Sequence, residues 1–331
     1  MKQTYYLYKS GRIQRKDNTL EVVYKDNTKR AIPIERVSDI YVMTEFDFNT
    51  SLLNFLSQFG ILVHFFNYYG FYTGTYYPKE QLVSGKLLVK QVENYINPEK
   101  RVKIAKAFIE AASYNIYRNL SYYNNRGKDL KEYMNQIDSL RNQIMKCKDV
   151  SELMGIEGNI RKVYYESWNI IINEEIAFDK RVKNPPDNAI NSFISYVNTI
   201  IYTRVLSEIY KTQLNPTISY LHEPSERRFS LSLDVAEIFK PIIADRLIFS
   251  MFNKKQITES DFEEGLNFLY IKENARREIT KQIDMKLQTT IKHRTLGREV
   301  SYEYLMRLEL YKLIKYLLGE EEEYQGFKMW W

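Results

Sequence analysis

The spacing of apolar residues changes near residue 80, and this change divides the chain into two parts. In the first part, short apolar segments alternate with turn signals such as Ser10-Gly11, a pattern typical of strands. One helix is predicted among them, Ser51–Gln58, because Asn49-Thr50 can cap its start and Gly60 can end it. The predicted strands are Tyr5–Tyr8, Arg12–Arg15, Leu20–Tyr24, Thr28–Ile34, Val37–Met43, Ile61–Phe66 and Phe71–Tyr76. We therefore expect a small, mainly antiparallel β domain of the sandwich type over residues 1–80.

After Pro78 the apolar residues recur with the 3.6-residue period of an α-helix. Residues 81–92 include Gly85 and have mixed polarity, so we predict a linker there. The predicted helices are Leu87–Ile96, Glu99–Asn124, Asp129–Lys146, Ser151–Glu174, Asn188–Gln213, one that follows Ser232, Glu259–Phe268, Glu273–Ile291 and Val300–Leu318. The predicted fold class is α+β, with the β domain followed by a larger all-α domain over residues 93–331.

The composition narrows the class of protein. The chain has 331 residues, of which 44% are hydrophobic and 27% charged, and its net charge of +6 permits a polyanionic partner. The single cysteine, Cys147, excludes an intrachain disulfide and a cysteine-based metal site. No apolar leader and no run of about eighteen apolar residues occurs, so we expect a soluble, cytoplasmic protein with no membrane partner. Many of the 28 tyrosines neighbour Lys, Arg or Asn, which suits either surface packing or stacking on bases.

One stretch, Pro216–Asp245, contains a combination of side chains that can bind a metal ion. It holds His222, one of three histidines, followed by the carboxylates of Asp234 and Glu237. If Ser232 caps a helix, Asp234 lies in the first turn and Glu237 shares its face. A turn can fold His222 back over both acids. An imidazole with carboxylates suits Mn²⁺, or Mg²⁺ with water completing its shell; the alternative is a structural histidine beside a solvated acidic face.

Glu157 supplies a third acid from another helix. It stands between Gly155 and Gly158, and each glycine costs the helix about 1 kcal/mol relative to alanine. That cost has a reason if the backbone must approach another group closely. The alternative is a surface ion pair between Glu157 and Arg161, one turn further on.

Three other features have simpler interpretations. His64 lies within an apolar strand, so we expect it to pack in the core. His293 lies in a basic stretch and is expected to belong to the charged surface. The C-terminal acidic run is followed by Phe327, Trp330 and Trp331, which can dock either on the helical domain or on a partner.

Three stretches together resemble a known family. They are MGIEG followed by Tyr164-Tyr165, NPPDNAINSFISYVNTIIY, and PTISYLHEPSERRFSLSLDVAEIFKPIIADR. In this order they resemble the CRISPR-associated integrase, the larger and catalytic protein of the spacer-acquisition complex, and especially the form found with type I-B systems. The resemblance covers essentially the full chain. The chain departs from it at Val197, where many relatives have glycine, and at Glu237, where some have aspartate.

The resemblance implies a reaction and the residues that perform it. It implies that Glu157, His222 and Glu237 are catalytic and bind Mg²⁺ or Mn²⁺. Asp234 would be an auxiliary catalytic acid that fixes the His222 ring or orients a water. In the implied reaction, a 3′-hydroxyl of a short foreign DNA fragment attacks a phosphodiester at the edge of a CRISPR repeat, so the enzyme would be a metal-dependent DNA integrase and endonuclease. We expect alanine at any of the three ligand positions to stop strand transfer and leave the fold intact.

The resemblance also implies partners. These are double-stranded DNA, a second copy bound through the β domain, and a dimer of the smaller CRISPR-associated adaptor protein that bridges two such dimers. Basic residues near the predicted site are candidates for contact with the DNA backbone, and each also has an interpretation as a surface charge. They are Arg161, Arg227, Arg228, Lys240 and Arg246. Two competing functions stay open at this point: a non-catalytic nucleic-acid scaffold, and a helical interaction module that binds no nucleic acid.

Overall fold

The computed structural model describes residues 2–78, 82–172, 178, 180–182, 186–225, 229–264 and 269–330. The chain forms two compact units, Met1–Val83 and Ser84–Trp331. The second unit begins with helix, because the Ser84 side chain accepts a hydrogen bond from the Leu87 N–H and caps a helix that starts at Gly85. The predicted linker, 81–92, is therefore helical over most of its length.

The N-terminal unit contains two four-stranded sheets. Its elements are β1 (Gln3–Leu7), β2 (Gly11–Lys16), β3 (Thr19–Tyr24), β4 (Lys29–Pro33), β5 (Val37–Val42), β6 (Phe46–Asp47), α1 (Thr50–Gln58), β7 (Leu62–Phe66) and β8 (Tyr72–Tyr76). The strand orders are β1-β5-β7-β8 and β4-β3-β2-β6. As predicted, Asn49 caps α1 by accepting a hydrogen bond from the Leu52 N–H at 3.0 Å.

The prediction of mainly antiparallel pairing needs correction. The pairs β1–β5, β5–β7 and β2–β6 are parallel, while β2–β3, β3–β4 and β7–β8 are antiparallel. Parallel neighbours need a crossover connection rather than a tight hairpin. Helix α1 lies in the connection between β5 and β7 and supplies such a crossover.

Apolar side chains from both sheets and from α1 form the core of this unit. They include Leu20, Val22, Ile32, Ile40, Val42, Phe55 and Leu56. His64 on β7 is fully buried, with its Nδ1 2.7 Å from the Thr75 hydroxyl and its ring centroid 4.7 Å from that of Tyr41. The predicted packing role of His64 is confirmed.

The second unit is mainly helical. Its helices are α2 (Gly85–Ile96), α3 (Pro98–Asn124), α4 (Lys131–Ile144), α5 (Val150–Glu166), α6 (Trp168–Ile171), α7 (Ala189–Tyr210), α8 (Ser230–Phe239), α9 (Arg246–Asn253), α10 (Glu273–Gln288) and α11 (Tyr302–Leu318). Its short strands are β9 (Phe262–Glu264), β10 (Leu269–Ile271), β11 (Thr290–Lys292) and β12 (Glu299–Ser301). Among the helices described, none has the length and apolar character needed to cross a bilayer.

Two predicted helices are partly wrong. The segment Glu259–Phe268 begins with one 3₁₀ turn and continues into β9, which pairs with β10 in antiparallel fashion. The helix predicted to end at Ile291 ends at Gln288, and the chain then forms the β11–β12 hairpin. Both strand pairs bring together short segments with β-branched or aromatic residues, whose strand preference depends on a partner strand that local periodicity cannot identify.

Helix α3 runs through the centre of this unit and contacts α4, α5 and α8. The apolar stripe predicted for it is buried throughout: Ile104, Phe108, Ala111, Ala112, Ile116 and Leu120. The same helix also buries two asparagines, Asn115 and Asn119. Burying an amide side chain is costly unless its hydrogen bonds are made. The hydrogen-bond partners of these two asparagines therefore show which segments α3 holds in place.

The C-terminal segment docks on this unit. The Asn115 amide donates to the Phe327 carbonyl at 3.0 Å and accepts from the Met329 N–H at 2.8 Å. A Cβ on Gly326 would lie 2.6 Å from the Ala111 side chain, so only glycine allows this approach. The Phe327 ring stacks on that of Phe239 at 5.9 Å. Docking on the helical unit therefore accounts for Phe327, and Trp331 lies outside the described residues.

Candidate active site

The loop that carries His222 leads into α8, and this helix begins earlier than predicted. Phe229 is the N-cap residue and makes no side-chain capping bond, so the predicted capping role of Ser232 is wrong. The Ser232 hydroxyl instead donates to the Phe229 carbonyl from within the first turn. Asp234 consequently lies beyond the first turn, where its carboxylate faces the loop rather than the free N–H groups of the helix.

Asp234 organises the histidine loop. Its buried carboxylate accepts hydrogen bonds from the backbone N–H groups of Tyr220, Leu221 and His222 at 2.7, 2.9 and 2.9 Å. The same carboxylate lies 2.8 Å from Nδ1 of His222. Because an ionised carboxylate only accepts, the contact places a proton on Nδ1 and leaves Nε2 as the ring nitrogen outside this hydrogen bond. Asp234 thus holds the ring in one orientation, and its role as an auxiliary catalytic acid stays a prediction.

Glu237, one turn further along α8, is buried between two cations. Lys240 Nζ donates to its carboxylate at 2.6 Å, and the Arg161 guanidinium donates to its other oxygen in a very short contact. Burial raises the pKa of Glu237, but Lys240, Arg161 and, more weakly, His222 lower it further, so the net pKa is well below the usual range. Glu237 is therefore ionised at neutral pH, and His222 is close enough to influence its charge.

Arg161 on α5 joins three acids. Besides Glu237, its Nε donates to Glu157 at 3.2 Å, and its Nη1 lies 3.9 Å from a carboxylate oxygen of Asp245. At that separation both Nη1 and the Asp245 oxygen are buried without a hydrogen-bond partner. Burial raises the pKa of Asp245 to about 6, although Arg161 and Lys240 act in the opposite direction. The negative charges of this site thus converge on one buried guanidinium.

The backbone after Glu237 is held by the asparagines of α3. Pro241 has no N–H and interrupts the helical ladder, and a π-helical turn follows over Pro241–Asp245. Two carbonyls around this turn accept hydrogen bonds from side-chain amides of α3: Asn115 donates to the Ile238 carbonyl at 3.1 Å, and Asn119 donates to the Pro241 carbonyl at 2.6 Å. These bonds fix the turn that connects Glu237 to Asp245.

The predicted site residues are brought together only in part. Glu157 and Glu237, which lie on different helices, share Arg161, and His222 is bonded to Asp234, one turn before Glu237 on α8. In the described portion of the chain, however, no three metal-binding side chains already stand close enough to hold one ion. Metal binding stays a prediction. Sequence reasoning missed Asp245. The only signal for it in the sequence is its position, an acidic residue directly after an apolar segment that contains a proline.

The two glycines beside Glu157 have space around them. A Cβ built on Gly155 or on Gly158 would meet no protein atom within 4 Å. No packing contact therefore requires glycine at these positions. The close approach predicted from these two glycines is not explained by a contact among the described residues, and it stays a prediction.

The residues predicted to contact DNA have different environments. Arg161 and Lys240 are buried and bonded to Glu237, so in this conformation they neutralise a carboxylate rather than face solvent. Arg246 is half-buried, and its Nε donates to Asn119 at 2.8 Å. Arg227 and Arg228 lie outside the described residues. DNA contact by these side chains stays a prediction.

Comparison with known proteins identifies the family. The family model for the CRISPR associated protein Cas1 matches residues 5–285. The CRISPR-associated endonuclease Cas1 of Fusobacterium nucleatum is 61% identical over 331 residues, covering 100% of this chain and 98% of that protein. The chain belongs to the Cas1 family. The family predicted from the sequence is confirmed, and the type I-B assignment stays a prediction.

Other members of the Cas1 family extend the similarity to distant organisms and to solved structures. The CRISPR-associated endonuclease Cas1 of Pyrococcus horikoshii is 41% identical over 326 residues, covering 98% of each chain. A solved Cas1 structure from Thermotoga maritima has a TM-score of 0.86 with 39% identity, covering 99% of this chain and 100% of that one. A casposase bound to its integration product also has a TM-score of 0.86, covering 98% of this chain and 93% of that one. Its sequence identity is 19%, so this similarity shows only that the two chains share a fold.

Proposed function

We propose that this protein is a divalent-metal-dependent DNA endonuclease and integrase that inserts short foreign DNA fragments into a CRISPR array. Cas1 relatives that are called endonucleases match along essentially the whole chain. The observation that carries the proposal is the placement of His222. Asp234, one turn before Glu237 on α8, holds the His222 ring through Nδ1, while Glu157 and Glu237 converge on one positive group.

The donor set fits Mg²⁺ or Mn²⁺. Two carboxylates and an imidazole nitrogen are ligands that Mn²⁺ accepts, and Mg²⁺ accepts the carboxylates with water. Glu157 and Glu237 share a positive group, Arg161, so this place accommodates positive charge, and the ion would take over part of that role. Glu157, Glu237 and His222 Nε2 would hold the ion. When bound, it would supply Lewis-acid stabilisation of negative charge on the scissile phosphate.

The remaining residues prepare these groups for the reaction. Lys240 and Arg161 keep Glu237 ionised in a buried place where an isolated carboxylate would take up a proton. Asp234 keeps the His222 ring from turning. In the transfer itself, the phosphorus forms a bond to the incoming 3′ oxygen and loses its bond to the leaving one. The attacking hydroxyl gives up a proton and the leaving oxygen takes one up.

The proposed assembly follows the sequence prediction. Solved structures of similar fold include complexes that contain Cas1 together with Cas2, at 17–18% identity. We propose that this chain works with a dimer of the smaller adaptor protein and forms a homodimer through its β unit, as the family resemblance implies. Its DNA partners would be the captured fragment and the CRISPR repeat.

A strand-transfer assay tests the proposed function. The purified protein and its adaptor are incubated with a short duplex and a supercoiled plasmid that carries the repeat, in Mg²⁺, in Mn²⁺ or in chelator. We expect joined and nicked plasmid with either ion and none in chelator, because the acids then have no divalent ion to share. Equal DNA binding in all three conditions, with no joining in any of them, would support the scaffold function instead.

A further inference from the structure

A cluster of cations and one aromatic ring lies where α3 ends and α9 begins. The guanidinium groups of Arg126 and Arg246 are 4.3 and 5.0 Å from the centroid of the Tyr122 ring. The Lys286 ammonium lies 4.4 Å from the Tyr302 ring, and its charge is close enough to Arg246 to be affected by it. These four side chains, Tyr122, Arg126, Arg246 and Lys286, form what we call the α3–α9 cluster.

The cluster carries positive charge that the protein does not neutralise. Within the described part of the chain, no carboxylate lies within ion-pair distance of Arg126, Arg246 or Lys286. Burial, with a smaller contribution from Arg246, lowers the pKa of Lys286 to about 8. A half-buried cation elsewhere in this unit, Arg307, is by contrast paired with an acid, Glu208. An uncompensated group of cations favours an anion from outside the chain.

The cluster is preorganised and is connected to the candidate active site. The Tyr122 ring holds two guanidinium groups by cation–π contact, which reduces the entropy they would lose on binding an anion. Arg246 is further fixed by Asn119, whose amide also donates to the Pro241 carbonyl in the turn after Glu237. Arg246 directly follows Asp245, which faces Arg161.

We propose that the α3–α9 cluster binds neighbouring phosphates of the DNA strand that flanks the scissile position. The identification of the bound anion as DNA rests on the proposed function. The Tyr122 ring contacts two guanidinium groups, so its role is to hold these cations rather than to stack on a base. The proposed binding is to the DNA backbone and does not depend on the base sequence. The cluster does not include the acids of the candidate site; Arg246 links the two through its neighbour Asp245 and through Asn119.

The test measures DNA binding in chelator, where no strand transfer occurs, so its outcome does not depend on catalysis. The affinity for a short fluorescent duplex is measured between 50 and 200 mM salt, for the parent and for the double variant Arg126→Gln/Lys286→Gln. Arg246 is left intact because it supports Asn119. Each phosphate contact contributes about 0.9 to the slope of log K against log salt. We expect the slope to fall by about 1.8, so the parent should lose about tenfold more affinity than the variant over this range.

A matched control lies on the same helix as Lys286. Arg277 and Lys281 are exposed and paired with Glu273 and Glu278, so Arg277→Gln/Lys281→Gln should leave the slope unchanged. Thermal unfolding reports whether the variants fold. If the double variant does not, Arg126→Gln alone, in the exposed turn after α3, should lower the slope by about 0.9. A folded variant with the parent's slope, or an equal fall in the control, would overturn the proposal.

Discussion

His222→Ala is expected to lower the rate of strand transfer by about a hundredfold or more and to leave the protein folded. The loss follows from removing Nε2, the one imidazole atom that Asp234 leaves free, since a positioned ligand or base contributes about 10²–10⁴ in rate. The fold should persist because Asp234 still accepts three backbone N–H groups. Single-turnover strand transfer and thermal unfolding measure the two effects.

A control for this variant is His293→Ala, in the loop between β11 and β12, which removes a histidine whose ring meets that of Trp330 edge-on. It should retain the parent rate. If purified His222→Ala joins DNA at full rate in Mn²⁺, or if both variants lose activity equally, the assignment of His222 to the site is wrong.

Glu237→Ala is expected to cost both activity and stability, unlike the other ligand variants. Removing the carboxylate leaves the buried Lys240 and Arg161 without their shared partner, and breaking a buried pair in this way typically costs about 3–5 kcal/mol in the free energy of unfolding. The structure therefore changes the expectation that alanine at each ligand position leaves the fold intact. That expectation holds for His222 and for Glu157, which is partly exposed.

Two further variants separate the loss of stability from the loss of chemistry. Glu237→Asp keeps the charge, so urea unfolding should show most of the parent stability. Glu237→Ala/Lys240→Met removes both members of the buried pair and should recover part of the stability that the single alanine loses, with no recovery of strand transfer. A Glu237→Ala protein as stable as the parent, or an active double variant, would contradict this account.

The division into a β unit and a helical unit follows from local pattern, and the structure has the boundary close to where the apolar period changes. Local signals were also sufficient for the Asn49 cap and for the buried stripe of α3. Parallel pairing in the β unit was not predictable, because it depends on which strands meet after the α1 crossover. The β9–β10 and β11–β12 pairs were not predicted for the same reason, because each strand depends on its partner strand.

At the site, sequence reasoning placed His222 next to Asp234 and associated Glu157 with Arg161. It did not foresee that one guanidinium serves Glu157 and Glu237 at once, since this contact joins residues 76 positions apart. Asp245 was missed because the π-helical turn after Pro241 alters the 3.6-residue period that would have related it to Glu237. Distances along one helix were predictable, and contacts between helices were not.

The central claim is that Glu157, Glu237 and His222 share one divalent ion. Titration of Mn²⁺ into the protein, followed by the electron paramagnetic resonance signal of the free ion, measures this directly and needs no DNA. We predict one Mn²⁺ site per chain in the parent protein, with greatly weakened binding in Glu157→Gln and in His222→Ala. Binding of the same stoichiometry and affinity in those variants, or no specific binding by the parent, would contradict the claim.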